Sequence, residues 1–554
     1  MAARSATQAP TSLQPLPGAE IPARALAGEA LAVLTPEAVA FLADLHRRFN
    51  GERLRLLAAR AKRQAAWDAG EVPGYPERDS EAAQGKWRVA PIPEDLLCRR
   101  VEITGPVNSP KMVINMLSRG SDGARADTAM VDFEDALKPS WANLLAGQVN
   151  VRGAARGDLS HTEPAAKGKP AREYRLDLKD MAKPIIRPRG LHLNEVNLRV
   201  DGQPLSGALM DLGLSFFHAG PIWAGRGESA AYYIPKVEHA LEARWWDQVF
   251  EHMERKLGLP VGTLKATFLV ETLPAAFQME EILFEARAHA VGLNVGRWDK
   301  IFSDIKTLRN HKDRVLADRS AITMGQPWMA NYARRCVQIS HQRGAFGIGG
   351  MAAFTPGATA ALRDQQSAKV LEDKRQEAQT GHDGCWVSHP YFIGVAMQAF
   401  PRRNQLDVIP EGDQHPDLLP QARGPKTLGG LRTNARVGIA YLEGWQRDIG
   451  CVAWDNLMED LATLEISRAQ TWQWMRHGAK LDDGATVDEA LVRRVFGQEL
   501  ARIVEQESAA IAAAREVPQQ EVVESFTRAA REAESVFTRA ALTDFLHTES
   551  DPVT

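Results

Sequence analysis

Residues 266–296 read ATFLVETLPAAFQMEEILFEARAHAVGLNVG. An apolar run, Ala266 to Val270, stops at Glu271. A helix-like stretch follows over 272–290, and a second apolar run over 291–296 ends in glycine. Strand, helix and strand in that order make one right-handed βαβ unit, the building block of a parallel sheet. The rhythm extends both ways. Short apolar runs recur at MVINML (112–117), AMVDFED (129–135), PIIRPRG (184–190), YYIPKVE (232–238), FGIGG (346–350) and CWVSHP (385–390), with helix-like segments such as 239–258 between them. Eight runs between about 97 and 395 predict an eight-stranded α/β barrel.

Outside that region the pattern changes. Residues 1–22 are rich in Ala, Pro, Ser and Gln and predict a disordered tail. From Pro36 to Ala69, Phe41, Leu45, Phe49, Leu54 and Leu57 recur at helical spacing, with Thr35 as N-cap. Residues 196–206, VNLRVDGQPLS, predict a hairpin turning at Asp201-Gly202. Residues 152–172 predict a polar surface loop, and 401–432 a linker or long functional loop. Beyond it the chain is nearly all helical, including two Ala/Glu-rich stretches. Three units are expected: a tail and helical clasp (1–90), the barrel (91–405) and a helical domain (406–554).

Composition narrows the function. With 554 residues, 25% charged and a formal net charge of -3, the chain is too long for one core and too acidic for non-specific nucleic-acid binding. Four scattered cysteines, Cys98, Cys336, Cys385 and Cys451, form no CxxC pair. No apolar stretch suits a signal peptide or a membrane span, and the final SDPVT is not an SKL-type address. A cytoplasmic protein is expected. GxxxxGK[ST], strand-linked GxGxxG and GxSxG motifs are absent.

The acids at strand ends carry the chemistry. Glu271 closes one run and Asp299 follows the next, and barrel active sites form at the C-terminal strand ends. Oxygen ligands without neighbouring His or Cys favour Mg²⁺. The competing reading makes Glu271 a helix cap and Asp299 a turn residue. In VDFED, strand alternation puts Asp132 and Glu134 on one side, where they could accept hydrogen bonds from metal-bound water. Arg187 offers a fixed donor fork for a carboxylate or enolate, or a salt bridge to an acid such as Asp132. Asn456 and Glu459 resemble a capping box, which places Asp460 in the first helical turn, where the dipole favours its charged form.

Four blocks resemble the malate synthase family of the isoform A and glyoxysomal type: VDFEDALKPSW (131–141), IIRPRGLHLNE (185–195), the stretch from ATFLVET through GLNVGRWDKIFS to IKTLRNH (266–311), and NARVGIAYLEGW with NLMEDLATLEISRAQTWQW (434–445, 456–474). The resemblance implies a (β/α)₈ barrel with an N-terminal clasp and a C-terminal helical plug. It implies condensation of acetyl-CoA with glyoxylate and water, giving malate and CoA. Glu271 and Asp299 then become Mg²⁺ ligands, Asp132 and Glu134 the acids around metal-bound water, Arg187 the catalytic arginine and Asp460 the base. Gly296, Arg297 and Trp298 are expected to meet glyoxylate through backbone N–H groups. Ala288, Lys300 and MAAFTPG (351–357) depart from the family pattern, which has an acid or amide, a tyrosine and MAAQIP there. The rival readings are a malyl- or citramalyl-CoA lyase and an inactive CoA-binding scaffold.

Overall fold

In the computed structural model, which describes residues 18–26, 28–165 and 170–553, the two runs of the opening stretch are neighbouring parallel strands. They belong to a closed barrel of β1 (Val101–Pro106), β2 (Thr128–Asp132), β3 (Lys183–Arg187), β4 (Ala230–Ile234), β5 (Leu264–Val270), β6 (Ala290–Val295), β7 (Phe346–Ala352) and β8 (Gly384–Val387). Each strand pairs with the next, and β8 returns to β1. Residues 112–117 are not a strand. They lie in a helix, Pro110–Leu117, whose N-cap Ser109 accepts the N–H of Met112. The first strand lies upstream at 101–106, where its polar Glu102 points inward and pairs with Arg99 at 2.6 Å.

The barrel is filled. Met130, Ile185, Tyr233, Leu269, Val291, Phe346 and Trp386 form one interior cluster. Beside them, Arg99 donates to Glu102, Thr267 and Tyr233. A packed interior leaves only the strand ends for binding.

The clasp is α1 (Pro36–Asp68), with Thr35 accepting the N–H of Ala38 as predicted. It lies on α2 (Gly207–Gly225), where a Cβ on Gly213 would stand 2.7 Å from Leu42. Asn194–Val200 and Gln203–Ser206 form the predicted hairpin, with positive φ at Asp201 and Gly202. Ala19–Glu20 adds a third strand to it, so that part of the expected tail is ordered; residues 1–17 lie outside the described residues. The expected loop at 152–172 is instead the end of the helix Trp141–Arg156 and one arm of a small hairpin, Ser160–Glu163 against Arg172–Arg175; residues 166–169 are not described.

Two helices on the barrel bear on the site: α3 (Ala240–Lys256) and α4 (Arg297–Thr307). The helical C-terminal region contains α5 (Leu428–Gln446), α6 (Leu461–Arg476), α7 (Glu489–Gln506) and α8 (Gln519–Phe537). Ile439, Leu464, Trp474, Val495, Phe526 and Phe537 make its core. The last residues return to the barrel side: Asn194 donates to the Thr548 carbonyl and accepts from the N–H of Ser550, both at 2.9 Å. Among the described residues no helix is long and apolar enough to cross a membrane.

Candidate active site

Strand register sets the first contact. Asp132 and Arg187 are paired positions at the ends of β2 and β3. Arg187 Nε and Nη2 reach the two carboxylate oxygens of Asp132 at 2.7 and 2.5 Å, a bidentate fork. Asp132 also accepts the N–H groups of Glu134 and Ala136 at 2.8 Å. Glu134 therefore sits beyond the strand, in a turn closed by Asp132. Alternation along the strand does not place the two acids, contrary to expectation.

Lys236, which sequence reasoning missed, stands at the centre. It follows β4 with a left-handed φ of 53°, a conformation costing a non-glycine residue about 1–3 kcal/mol. Contacts on all sides hold it there. Its N–H donates to Glu271 Oε1 at 2.8 Å. Its Nζ lies 2.7 Å from Asp135, 2.8 Å from Asp299, 3.3 Å from Glu134 and 3.6 Å from Glu271. Asp135 was missed as well; it also faces Arg187 Nη1 at 3.3 Å.

Six carboxylates, those of Asp132, Glu134, Asp135, Glu271, Asp299 and Asp460, thus crowd two buried cations, Lys236 and Arg187. The electrostatics follow. Burial and the Asp135 charge push Glu134 well above the usual carboxylate range. Burial and the Glu271 charge do the same to Asp299. Burial opposes the charge on Lys236, but Asp135, Asp299, Glu134 and Glu271 outweigh it and hold the ammonium protonated. Asp299 Oδ1 faces that ammonium as an ion pair without an aligned hydrogen bond, and Glu134 Oε1 is also buried without one. Two buried acceptor oxygens in an acid-rich cluster suit a hard divalent cation. Among the described residues no group of three or more His, Cys, Asp or Glu side chains is arranged to hold a metal ion by itself.

Gly296 and Tyr332 fix the spacing of the two candidate ligands. A Cβ on Gly296 would lie 2.8 Å from Glu271 Cβ and 3.0 Å from its Oε2, so only glycine admits this approach. The Tyr332 hydroxyl accepts the N–H of Gly296 and donates to the Val270 carbonyl, tying the ends of β5 and β6 together. The Gly296 N–H is therefore engaged within the protein, while the residue itself lines the cavity. Arg297 and Trp298 occupy the first turn of α4, whose N–H groups have no intrahelical acceptor and suit an anion. Asp299 is in the same turn.

Asp460 comes from the helical region. It is the N-cap of α6, accepting the N–H of Thr463 at 3.3 Å, while Glu459 lies in a short strand before it. The expected capping box with Glu459 in the helix is not formed. Burial, then the Asp135 charge, pushes the Asp460 carboxyl up to about 7. The next residue ties the helix to the barrel: Leu461 N–H donates to the Asp135 carbonyl at 3.1 Å. Arg319 makes a second tie, donating to Ser467 Oγ at 3.0 Å with its guanidinium 5.6 Å from the Trp298 ring. All of this opens on a cavity of about 1110 Å³, lined among others by Asp132, Arg187, Glu271, Trp298, Asp299 and Asp460. The cavity is large enough for an extended cofactor-sized molecule.

The chain matches known proteins over most of its length. Residues 183–419 match the family model described as malate synthase, TIM barrel domain; residues 425–550 match malate synthase, C-terminal; residues 24–80 match malate synthase, N-terminal domain. A malate synthase of Myxococcus xanthus (strain DK1622) is 47% identical over 478 residues, 85% of this chain and 86% of that protein. The chain belongs to the malate synthase family. Malate synthase A of Escherichia coli (strain K12) is 43% identical over 93% of this chain and 94% of its own. The malate synthase of Oryza sativa subsp. japonica is 44% identical over 86% of each. Like other members of the malate synthase family, this chain is an acyl-transferring enzyme.

The departures from the malate synthase pattern have distinct places. Ala288 is exposed in a turn, its carbonyl 3.2 Å from Lys265 Nζ at the start of β5, the barrel end opposite the site. Lys300 is fully buried, paired with Asp304 and 5.5 Å from the Tyr332 ring. In the 351–357 segment the Ala353 carbonyl accepts the N–H of Met458 and Thr355 donates to the Asn456 carbonyl, so this segment seats the strand leading to Asp460.

Proposed function

We infer that this chain condenses acetyl-CoA with glyoxylate and water to give malate and CoA, the reaction of the glyoxylate bypass. The observation that carries the reading is the meeting of Asp460, from the helical region, with the barrel acids around one cavity. Glu271 and Asp299 would hold Mg²⁺, and Glu134, with its unengaged oxygen, would face its water shell. Bound there, Mg²⁺ would polarise the glyoxylate carbonyl.

The residues divide the remaining work. A thioester methyl is a weak acid. A gap on the order of ten pKa units makes its ionisation uphill by roughly 14 kcal/mol. Asp460 takes the methyl proton, and Arg187, which lines the cavity, stabilises the enolate oxygen. Asp132, engaged on both oxygens, aims that arginine rather than facing metal-bound water. The enolate carbon attacks the glyoxylate aldehyde and forms the carbon–carbon bond. Water then cleaves the malyl thioester and CoA leaves as the thiol. Arg297 and Trp298 offer N–H groups to the glyoxylate carboxylate, and Lys236 keeps the acids clustered.

The test is thiol release from acetyl-CoA, with glyoxylate and Mg²⁺ each present or omitted. Release that needs both is expected. Full release after exhaustive chelation removes the Mg²⁺ role, and release of glyoxylate from malyl-CoA without condensation favours a lyase.

A further inference from the structure

Helix α1 buries five polar side chains, His46, Asn50, Arg53, Arg60 and Gln64, and the last three, spaced by seven and four residues, share one face. Each of these three is buried and donates to main-chain carbonyls of segments that follow barrel strands. Arg53 donates to the carbonyls of Leu191 and Leu193, in the segment that follows β3 and its terminal Arg187. Gln64 donates to the carbonyls of Lys306 and Thr307, the last residues of α4. Arg60 makes a bidentate pair with Glu242 at 2.7 Å and donates to the Lys236 carbonyl at 2.8 Å.

The Arg60 contact reaches furthest. Lys236 is in the left-handed region, and its own N–H holds Glu271. One residue therefore joins Arg60, through its carbonyl, to a candidate metal ligand, through its amide. A second route runs through Glu238, which lies 3.8 Å from Arg60 and 2.7 Å from Lys306 of α4. That helix carries Asp299 in its first turn and is gripped by Gln64 at its last.

We propose that α1 is a positioning element for the metal side of the site, with Arg60 setting Glu271 through Lys236 and Gln64 setting Asp299 through α4. The proposal rests on the reading of Glu271 and Asp299 as Mg²⁺ ligands. Arg60 touches no substrate; it acts through Lys236.

Arg60→Lys isolates the effect. A lysine keeps a charge opposite Glu242 and Glu238, but one ammonium cannot also span to the Lys236 carbonyl. Calorimetric titration of the folded variant with Mg²⁺ alone is expected to show affinity weakened by about 10- to 100-fold. In thiol-release kinetics KM for glyoxylate rises, KM for acetyl-CoA stays at the parental value, and excess Mg²⁺ restores kcat. Gln64→Leu moves the same two readings in the same direction, and it decides the matter if Arg60→Lys fails to fold. Parental Mg²⁺ affinity and parental glyoxylate KM in the folded variant, with only the melting temperature lowered, overturn the proposal. A parental chain that releases thiol but binds no Mg²⁺ overturns instead the ligand assignment beneath it.

Discussion

Asp460 is a carboxylate placed where ionisation is hard, and that is the condition a base near neutral pH needs. Because burial and the Asp135 charge raise it to about 7, its basic form is scarce in acid and grows as pH rises through that value. The expected kcat/KM falls about tenfold per unit at pH well below 7, measured as thiol release across a pH series. An apparent pKa near 4 would show that another group is the base. Asp460→Asn keeps an oxygen for the Thr463 N–H, so the helix start survives. Turnover is expected to drop by about 10²- to 10⁴-fold with the circular dichroism spectrum and melting temperature close to parental.

At the scale of elements, two joints hold the strands that carry the site. Gly296→Ala drives a methyl group into Glu271. Mg²⁺ affinity should weaken by about 10- to 100-fold, read by calorimetry. The second joint is His289, clamped between Asp247 at 2.6 Å and Glu254 at 3.1 Å on α3. Burial opposes its charge, but those two carboxylates raise it to about 9. A raised folded-state value stabilises most below the unfolded value of about 6.5 and loses that contribution as pH climbs through 9. The gap in melting temperature between the parent and His289→Gln should therefore narrow from pH 6 to pH 9.5; a constant gap would mean that the ring serves by packing alone.

The sequence announced the later strands because their apolar runs end abruptly in polar residues, as at Val270-Glu271. It hid β1 because Glu102 faces inward to satisfy Arg99, which breaks the apolar pattern, while the buried face of the helix 110–117 supplied a false run. Ser109-Pro110 was the signal that a helix starts there. Glu271, Asp299, Arg187 and Asp460 were legible as strand-end or helix-start residues. Lys236 and Asp135 were not, because their roles come from convergence of separate strand ends and left no local pattern. The turn at VDFED depends on Asp132 accepting two backbone N–H groups, which alternation cannot foresee.

For the whole molecule, the seat of the helical region on the barrel decides whether Asp460 meets the barrel acids. Gly450 is pressed onto the barrel at Leu137 and Lys138; a Cβ there would lie 2.2 Å from the Lys138 nitrogen. Gly450→Ala must push the two surfaces apart, at a cost of about 1–3 kcal/mol. Thiol release should fall while Mg²⁺ affinity, whose proposed ligands Glu271 and Asp299 both lie on the barrel, stays parental. Loss of both together would show that the seat and the metal side are one unit.

The grip of α1 on distant carbonyls also sets a timetable for synthesis. The helix is complete at residue 68, but a partner of its last turn, His311, is made 243 residues later. At about 5–20 residues per second the ribosome needs roughly 12–49 s to supply it. Arg53 waits for Leu193, Arg60 for Lys236 and Gln64 for Thr307, each a backbone carbonyl made well after the helix. The chain then closes from its other end, when Thr548 and Ser550 reach Asn194. A newborn molecule thus carries an early helix whose buried polar side chains stay unmatched until the barrel segments around it exist.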